Sequence, residues 1–188
     1  MPDRIDYSFI SGREGGRATI AYVPAAAVSS SGITLATGFD LGQRSESDLV
    51  QLGLNGALVA RLRPYLGVRG VAAQQLLAGS PLTISGADAD DIDRAVMSEH
   101  VTRLEQKYIM ATANTKRIRF FNLPSEAQTV IASVAFQYGV NLDVRAPRFW
   151  RAVTAQDWPQ AVSELRTFGD TYPTRRRLEA DLLQRIAP

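Results

Sequence analysis

The chain has no cysteine, one histidine and only two lysines in 188 residues. Without cysteine there is no disulfide, no thiol nucleophile and no thiolate metal ligand, so the fold is indifferent to redox compartment. The lone His100 has no companion for an imidazole-based metal site and reads as a plain helix residue. No run of about 18 apolar residues exists to span a bilayer, so membrane insertion is not expected. The opening "MPDRIDYSFISGREGG" lacks the basic-then-apolar order of a secretory signal, and export by the general route is not expected from it. Repeats are absent, and the one biased tract is the alanine and serine run at 25–31.

What is present is ordinary globular material. Hydrophobic residues make up 45% and charged residues 21%, which excludes disordered and fibrous classes. The length suits one substantial domain, or a small lobe joined to a larger one. The formal net charge is +2, and nearly all the positive charge is arginine, a balance that modestly favours an anionic polymer. No zinc-finger spacing or basic-aromatic motif accompanies it, so nucleic acid is not the expected partner. A basic helical DNA-binding domain would need its arginines on one face.

Patterning predicts mixed structure early and helices thereafter. A short helix over 7–14, capped by Asp6 or Ser8, ends at Gly15-Gly16. Thr19–Val23 and Ile33–Leu35 read as antiparallel strands around the loop "PAAAVSSSG". Residues 45–67 read as a helical stretch capped by Ser45 or Ser47 and interrupted at Pro64. "TISGADADDIDRAVMSEHVTRLEQKYIM" is the clearest helix, opened by Thr83 or Ser85, with Ile92, Val96, Val101, Leu104 and Tyr108 on one face. "LPSEAQTVIASVAFQYG" predicts a buried central helix from Ser125 to Gly139. Further helices are expected around "PRFWRAVTA", around "WPQAVSELRTF" and from Pro173 onward, with Trp150 and Trp158 in packing roles.

Two carboxylates stand out. Glu14 closes an apolar turn before two glycines that allow close approach of another chain, and partial burial there would raise its pKa, as a general acid requires. Asp40 ends "GITLATGFD", six residues after Thr34. Gly38 makes a bend between them, so spacing alone leaves their faces undecided. By spacing alone an aspartate that caps the next helix or closes an Asx-turn is the simpler reading. A carboxylate beside a hydroxyl can also hold a water opposite a carboxylic acid, the inverting glycosidase arrangement, with carboxyls about 6.5–9.5 Å apart.

"FISGREGG", "AYVP", "SGITLATGFDLG", "VAFQYG", "FWRAVTAQDWPQAVSEL" and "YPTRRRLEADLL", in that order over nearly the whole chain, resemble the phage-type lysozymes, most closely their pesticin-like branch of bacterial toxin domains. The resemblance implies a mainly α, α+β fold of two lobes: an N-terminal lobe with a hairpin over about 1–82, a connecting helix at 83–112 and a helical lobe at 113–188. It implies a metal-free, cofactor-free muramidase cleaving the β-1,4 bond between N-acetylmuramic acid and N-acetylglucosamine of peptidoglycan. Glu14 would be the general acid, and Asp40 with Thr34 would hold the water. The order Glu, Thr, then Asp six residues on matches the pesticin-like pattern. Ordinary phage lysozymes place their aspartate earlier, where this chain has Pro24 and Ala25. Thr37 is a rival hydroxyl, and Ala36 stands where a glycine is common.

Tyr22 and Phe39 could face a sugar ring, and Gln137 resembles a cleft-facing family position flanked by Phe136 and Tyr138. Arg175, Arg176 and Arg177, the one cationic triplet, read as a solvated helix face able to attract an anionic wall, with Arg175 as a substrate contact. The expected protein is a monomer made in the cytoplasm and acting on the cell wall of a target bacterium as a toxin, with a cognate immunity protein as partner. A phage endolysin of the same chemistry and a non-catalytic peptidoglycan-binding module are the alternatives.

Overall fold

A computed structural model describes residues 4–11, 17–24 and 31–187. The chain is a mainly helical α+β protein. Among the described residues it has ten α-helices and one three-stranded antiparallel sheet.

Helix α1 (Tyr7–Ser11) starts where Asp6 Oδ1 accepts the Phe9 N–H at 2.9 Å and the Ser8 hydroxyl at 2.5 Å, satisfying a donor that helix geometry leaves orphaned. Strands β1 (Ala18–Tyr22), β2 (Thr34–Ala36) and β3 (Phe39–Asp40) pair in chain order. The third strand, unexpected from the sequence, is only two residues long. The outer edge of β1 is covered by residues 82–84: Ala21 N–H donates to Leu82 C=O at 3.0 Å, and Ile84 N–H to Thr19 C=O at 2.9 Å.

The helical stretch expected after residue 45 is broken into α2 (Glu46–Gln51) and α3 (Gly56–Leu62). Gly53, at φ +74°, leaves the helix through the left-handed region. Asn55 restarts it by accepting the Leu58 N–H at 2.8 Å. Ser45 caps α2 in a reciprocal pair with Asp48, and Pro64 lies in a 3-10 turn just beyond α3. Helix α4 (Gly70–Gly79) precedes the long α5 (Gly86–Met110), which Ser85 and Asp88 open reciprocally at 3.0 Å in each direction. Then come α6 (Ser125–Tyr138), the one-turn α7 (Leu142–Arg145), α8 (Pro147–Ala155), α9 (Trp158–Arg166) and α10 (Pro173–Gln184).

The chain divides into two units, each with its own core. One carries the sheet and α2 to α4, and runs through Glu99 of α5. Its core joins Ile33, Leu35, Phe39 and Leu41 to Leu58, Leu62, Ala89 and Ile92. The other takes α1 together with the chain from His100 onward and is built around α6. From Ala127 to Ala135 every residue of α6 is buried, including Gln128, Thr129 and Ser133. The resemblance implies a lobe holding both the first helix and the hairpin; in the structure this helix packs on α6. Ile10 is fully buried there, and the Arg4 and Asp6 N–H groups donate to Gln128 Oε1 and Thr129 Oγ1, each at 2.9 Å. Those two side chains are buried and need such partners.

Candidate functional site

The stretch from Gly32 to Gly42 forms a small, closed piece of architecture. Thr37 and Gly38 turn the β2–β3 hairpin, with Gly38 at φ +83° and Ala36 at φ +50°, so the position where a glycine is common is held in the left-handed region by an alanine. Through this turn the pairing stays regular, Leu35 against Phe39 and Thr34 against Asp40. Tyr22 in turn pairs with Thr34. Residues opposite one another in antiparallel strands project to the same face with Cβ atoms about 4.5–5.5 Å apart. Tyr22, Thr34 and Asp40 therefore form one row across all three strands. Leu35 and Phe39 take the opposite face and are buried in the core. Phe39, expected as a sugar-facing aromatic, is 5% exposed with the Arg44 guanidinium 5.2 Å from its ring centre. Strand alternation next to Asp40 turns its ring inward.

Asp40 caps the turn, as spacing suggested, with one oxygen of its carboxylate. Its Oδ1 accepts two backbone N–H groups, from Gly32 at 2.9 Å and Gly42 at 2.8 Å, capping the 3-10 turn Leu41–Gln43. Its Oδ2 has no hydrogen-bond partner among the described residues. Thr34, 3% exposed, donates its hydroxyl to Gly32 C=O at 3.2 Å, leaving the lone pairs of Oγ1 as acceptors. The rival hydroxyl of Thr37 is committed elsewhere, to Asp93 Oδ2 at 2.8 Å.

Glycine is required at both ends of the stretch. A Cβ on Gly32 would sit 2.4 Å from Gly42 Cα and 2.7 Å from Asp40 Oδ1; one on Gly42 would sit 2.7 Å from Gly32 Cα and 2.9 Å from Val68 C=O. The two backbones touch so that both N–H groups reach one carboxylate oxygen. Around them Arg69 Nε donates to Gly42 C=O at 2.7 Å, Leu41 N–H to Ile33 C=O at 2.9 Å and Gly70 N–H to Ser31 C=O at 2.9 Å. Sequence reading singled out only Gly38 and missed the contact between Gly32 and Gly42, though the signal was there: the stretch begins and ends with glycine. Glu14, the expected acid, lies outside the described residues. No group of three or more His, Asp or Glu among the described residues could hold a metal ion.

Compared with models of known protein families, residues 4–159 match the one described as "Pesticin: Bacterial toxin homologue of phage lysozyme, C-term". The chain belongs to the pesticin family. No curated protein matches it.

The remaining expected contacts of this pesticin-family chain lie in the helical unit. Phe136 stacks on His100 with ring centres 4.7 Å apart, and His100 Nε2 is 2.9 Å from Ala135 C=O. Gln137 Oε1 accepts from Arg176 Nη2, and its amide NH2 has no partner among the described residues. The Tyr138 hydroxyl donates to Asp170 Oδ2 at 2.6 Å; burial, then the Asp170 carboxylate, push its pKa up.

Of the arginine triplet only Arg177 is exposed as its sequence suggests; the other two are buried. Arg175 is 8% exposed and Arg176 2%. Arg175 donates to Glu179 Oε1 at 3.1 Å and to Ser133 C=O at 2.9 Å. Arg176 pairs with Glu179 Oε2 and with Asp170 Oδ2, the latter at 2.9 Å, and lies 4.7 Å from the centre of the Phe168 ring. Ser133 and Gln137 come from α6, distant in sequence, so a local pattern could not reveal them, whereas Glu179 lies one turn on along α10 and Asp170 six residues before Arg176. Many surface arginines are also matched to acids, among them Arg17 with Asp90, Arg61 with Asp88, Arg63 with Glu46 and Arg94 with Asp91.

Proposed function

We propose that this chain is a peptidoglycan hydrolase, a muramidase acting by single displacement with inversion, on the two-lobed lysozyme-like fold its family implies. The observation that supports it most is the Thr34–Asp40 pair: a carboxylate pinned through Oδ1 by two backbone N–H groups, with Oδ2 open beside a hydroxyl.

In this reading Glu14 is the general acid and gives its proton to the glycosidic oxygen as that bond to the anomeric carbon breaks. A water lies between Asp40 Oδ2 and Thr34 Oγ1, donating one hydrogen to each. As the water oxygen bonds to the anomeric carbon from the opposite side, Asp40 takes its proton. Atoms and charge balance, with one proton leaving Glu14 and one reaching Asp40. Pinning Oδ1 fixes the plane of the carboxylate, so Oδ2 need not reorganise during reaction. Tyr22, in the same cross-strand row, and Gln137, whose amide NH2 has no partner among the described residues, are the sugar contacts this reading favours. Phe136 and Tyr138 flank Gln137. Arg175 acts behind them through Ser133 rather than on the glycan.

The family description supports a bacterial toxin; action on a target cell wall and inhibition by an immunity protein belong to the proposal. Purified peptidoglycan incubated with the protein and analysed by mass spectrometry tests the chemistry. Reducing muramic acid ends are expected, and an anhydro-muramyl end refutes hydrolysis. Glu14→Gln is expected to lower the rate by at least about a hundredfold with the fold intact, the scale of lost acid–base catalysis. Equal lysis by that variant overturns the assignment.

A further inference from the structure

The acids at the start of α5 are nearly all engaged with cations. Asp88 takes Arg61 besides its cap, Asp90 takes Arg17 and Asp91 takes Arg94. Asp93 is the exception. Both of its oxygens go to one residue of the hairpin turn: Thr37 N–H donates to Oδ1 at 3.0 Å and the Thr37 hydroxyl to Oδ2 at 2.8 Å. No other partner of Asp93 exists among the described residues. A two-point grip fixes direction as well as distance.

The hairpin it grips needs an anchor. Strand β3 has two residues and only two paired positions with β2, and a ladder that short is marginal by itself. Its turn also carries two left-handed residues, Ala36 and Gly38, one of them without the freedom of glycine. Asp93 follows Ile92, which is fully buried in the core of the sheet unit, so the carboxylate stands on a fixed base. One paired position beyond Leu35 and Phe39 lie Thr34 and Asp40.

We propose that Asp93 is a positioning residue for the reaction: by clamping Thr37 it holds the turn, and thereby sets the relation of Asp40 Oδ2 to Thr34 Oγ1. This inference rests on the reading of Thr34 and Asp40 as the water-holding pair. It differs from a purely structural role because the clamp governs geometry in the folded enzyme, where an error of about 1 Å can cost a hundredfold in rate.

The experiment measures kcat and KM on soluble peptidoglycan fragments, well below each variant's melting temperature, for the parent, Asp40→Asn, Asp93→Ala, Thr37→Val, Thr37→Ser and the Asp93→Ala/Thr37→Val double variant. Asp93→Ala is expected to lower kcat by roughly tenfold or more with KM within about twofold, the signature of an interaction acting after binding. Thr37→Val removes only the hydroxyl bond and is expected to lower kcat by about threefold or more, and Thr37→Ser to restore it to within about twofold of the parent. The double variant should be no worse than Asp93→Ala alone, because both changes cut one contact. A parent that does not cleave, or an Asp40→Asn variant of full activity, overturns the reading of the pair. With Asp40→Asn inactive, a folded Asp93→Ala or a Thr37→Val that keeps the parent kcat overturns the clamp alone. Thr37→Val decides the matter if Asp93→Ala does not fold.

Discussion

Replacing Gly32 by alanine tests whether the Asp40 carboxylate is held as described. The added Cβ would lie 2.4 Å from Gly42 Cα, 2.5 Å from Gly42 N and 2.7 Å from Asp40 Oδ1. Ordinary contact begins at 3.4 Å, so the two backbones must part by 3.4 − 2.4, or 1.0 Å. No flexible side chain is available to give way. Overpacking of this kind costs about 1–3 kcal/mol, which in a protein of this length lowers the melting temperature by roughly 2–12 °C. The same parting pulls both N–H donors from Oδ1, and the rate of peptidoglycan cleavage should fall by about a hundredfold, as for other misplacements near 1 Å. Gly38→Ala provides the contrast. Nothing lies within 4 Å of its added Cβ, and only φ +83° opposes it, so it should cost about 1 kcal/mol of left-handed strain. Thermal melts and turbidity assays on the two variants separate crowding from strain. If Gly32→Ala melts with the parent and lyses cell walls at the parental rate, the Gly32–Gly42 contact is not what holds Asp40.

Glu179 is fully buried between Arg175 and Arg176. Glu179→Ala leaves two guanidinium groups without that carboxylate and should cost about 3–5 kcal/mol, read as a fall in melting temperature of roughly 6 °C or more; an unchanged melt refutes the network. Burial raises the pKa of Asp170, but the Tyr138 hydroxyl, Arg176 and the Tyr172 N–H outweigh it and leave the pKa below the ordinary 3.8. The folded chain therefore binds this proton more weakly than the unfolded chain. The stability involved is full above the ordinary value and is lost as pH falls through the lowered one. Melting temperature should drop on acidification below about pH 4, and Asp170→Asn should flatten that drop; an equally steep acid limb in the variant shows that other groups dominate.

Sequence patterning located α6 to its ends because proline, serine and glycine mark them and almost every residue between is apolar. It located α5 from its caps and its apolar face. Where the determining partner is remote, patterning failed. A two-residue strand has no period to read, so neither β3 nor the inward turn of Phe39 was legible. Arg175 and Arg176 look solvated until Ser133 and Gln137 of α6 are brought to them. At the site, the order of Thr34 and Asp40 was visible, but their adjacency depends on a regular turn at Thr37-Gly38 that the sequence left open. The capping reading of the aspartate is met by one oxygen alone; the other has no partner among the described residues.

The attachment of α1 to α6 has a consequence for the order in which the chain can fold. The bonds from Arg4 and Asp6 span 124 and 123 residues, a separation that slows contact formation. During synthesis the sheet unit, ending at Glu99, has all its residues before α6 emerges. Residues 4–10, made before the sheet unit, must wait for α6 before they can dock. A pause or a slow step before α6 is made thus leaves Ile5 and Ile10 uncovered, and a chaperone trapping the nascent protein should be found on residues 4–10 rather than at its growing end.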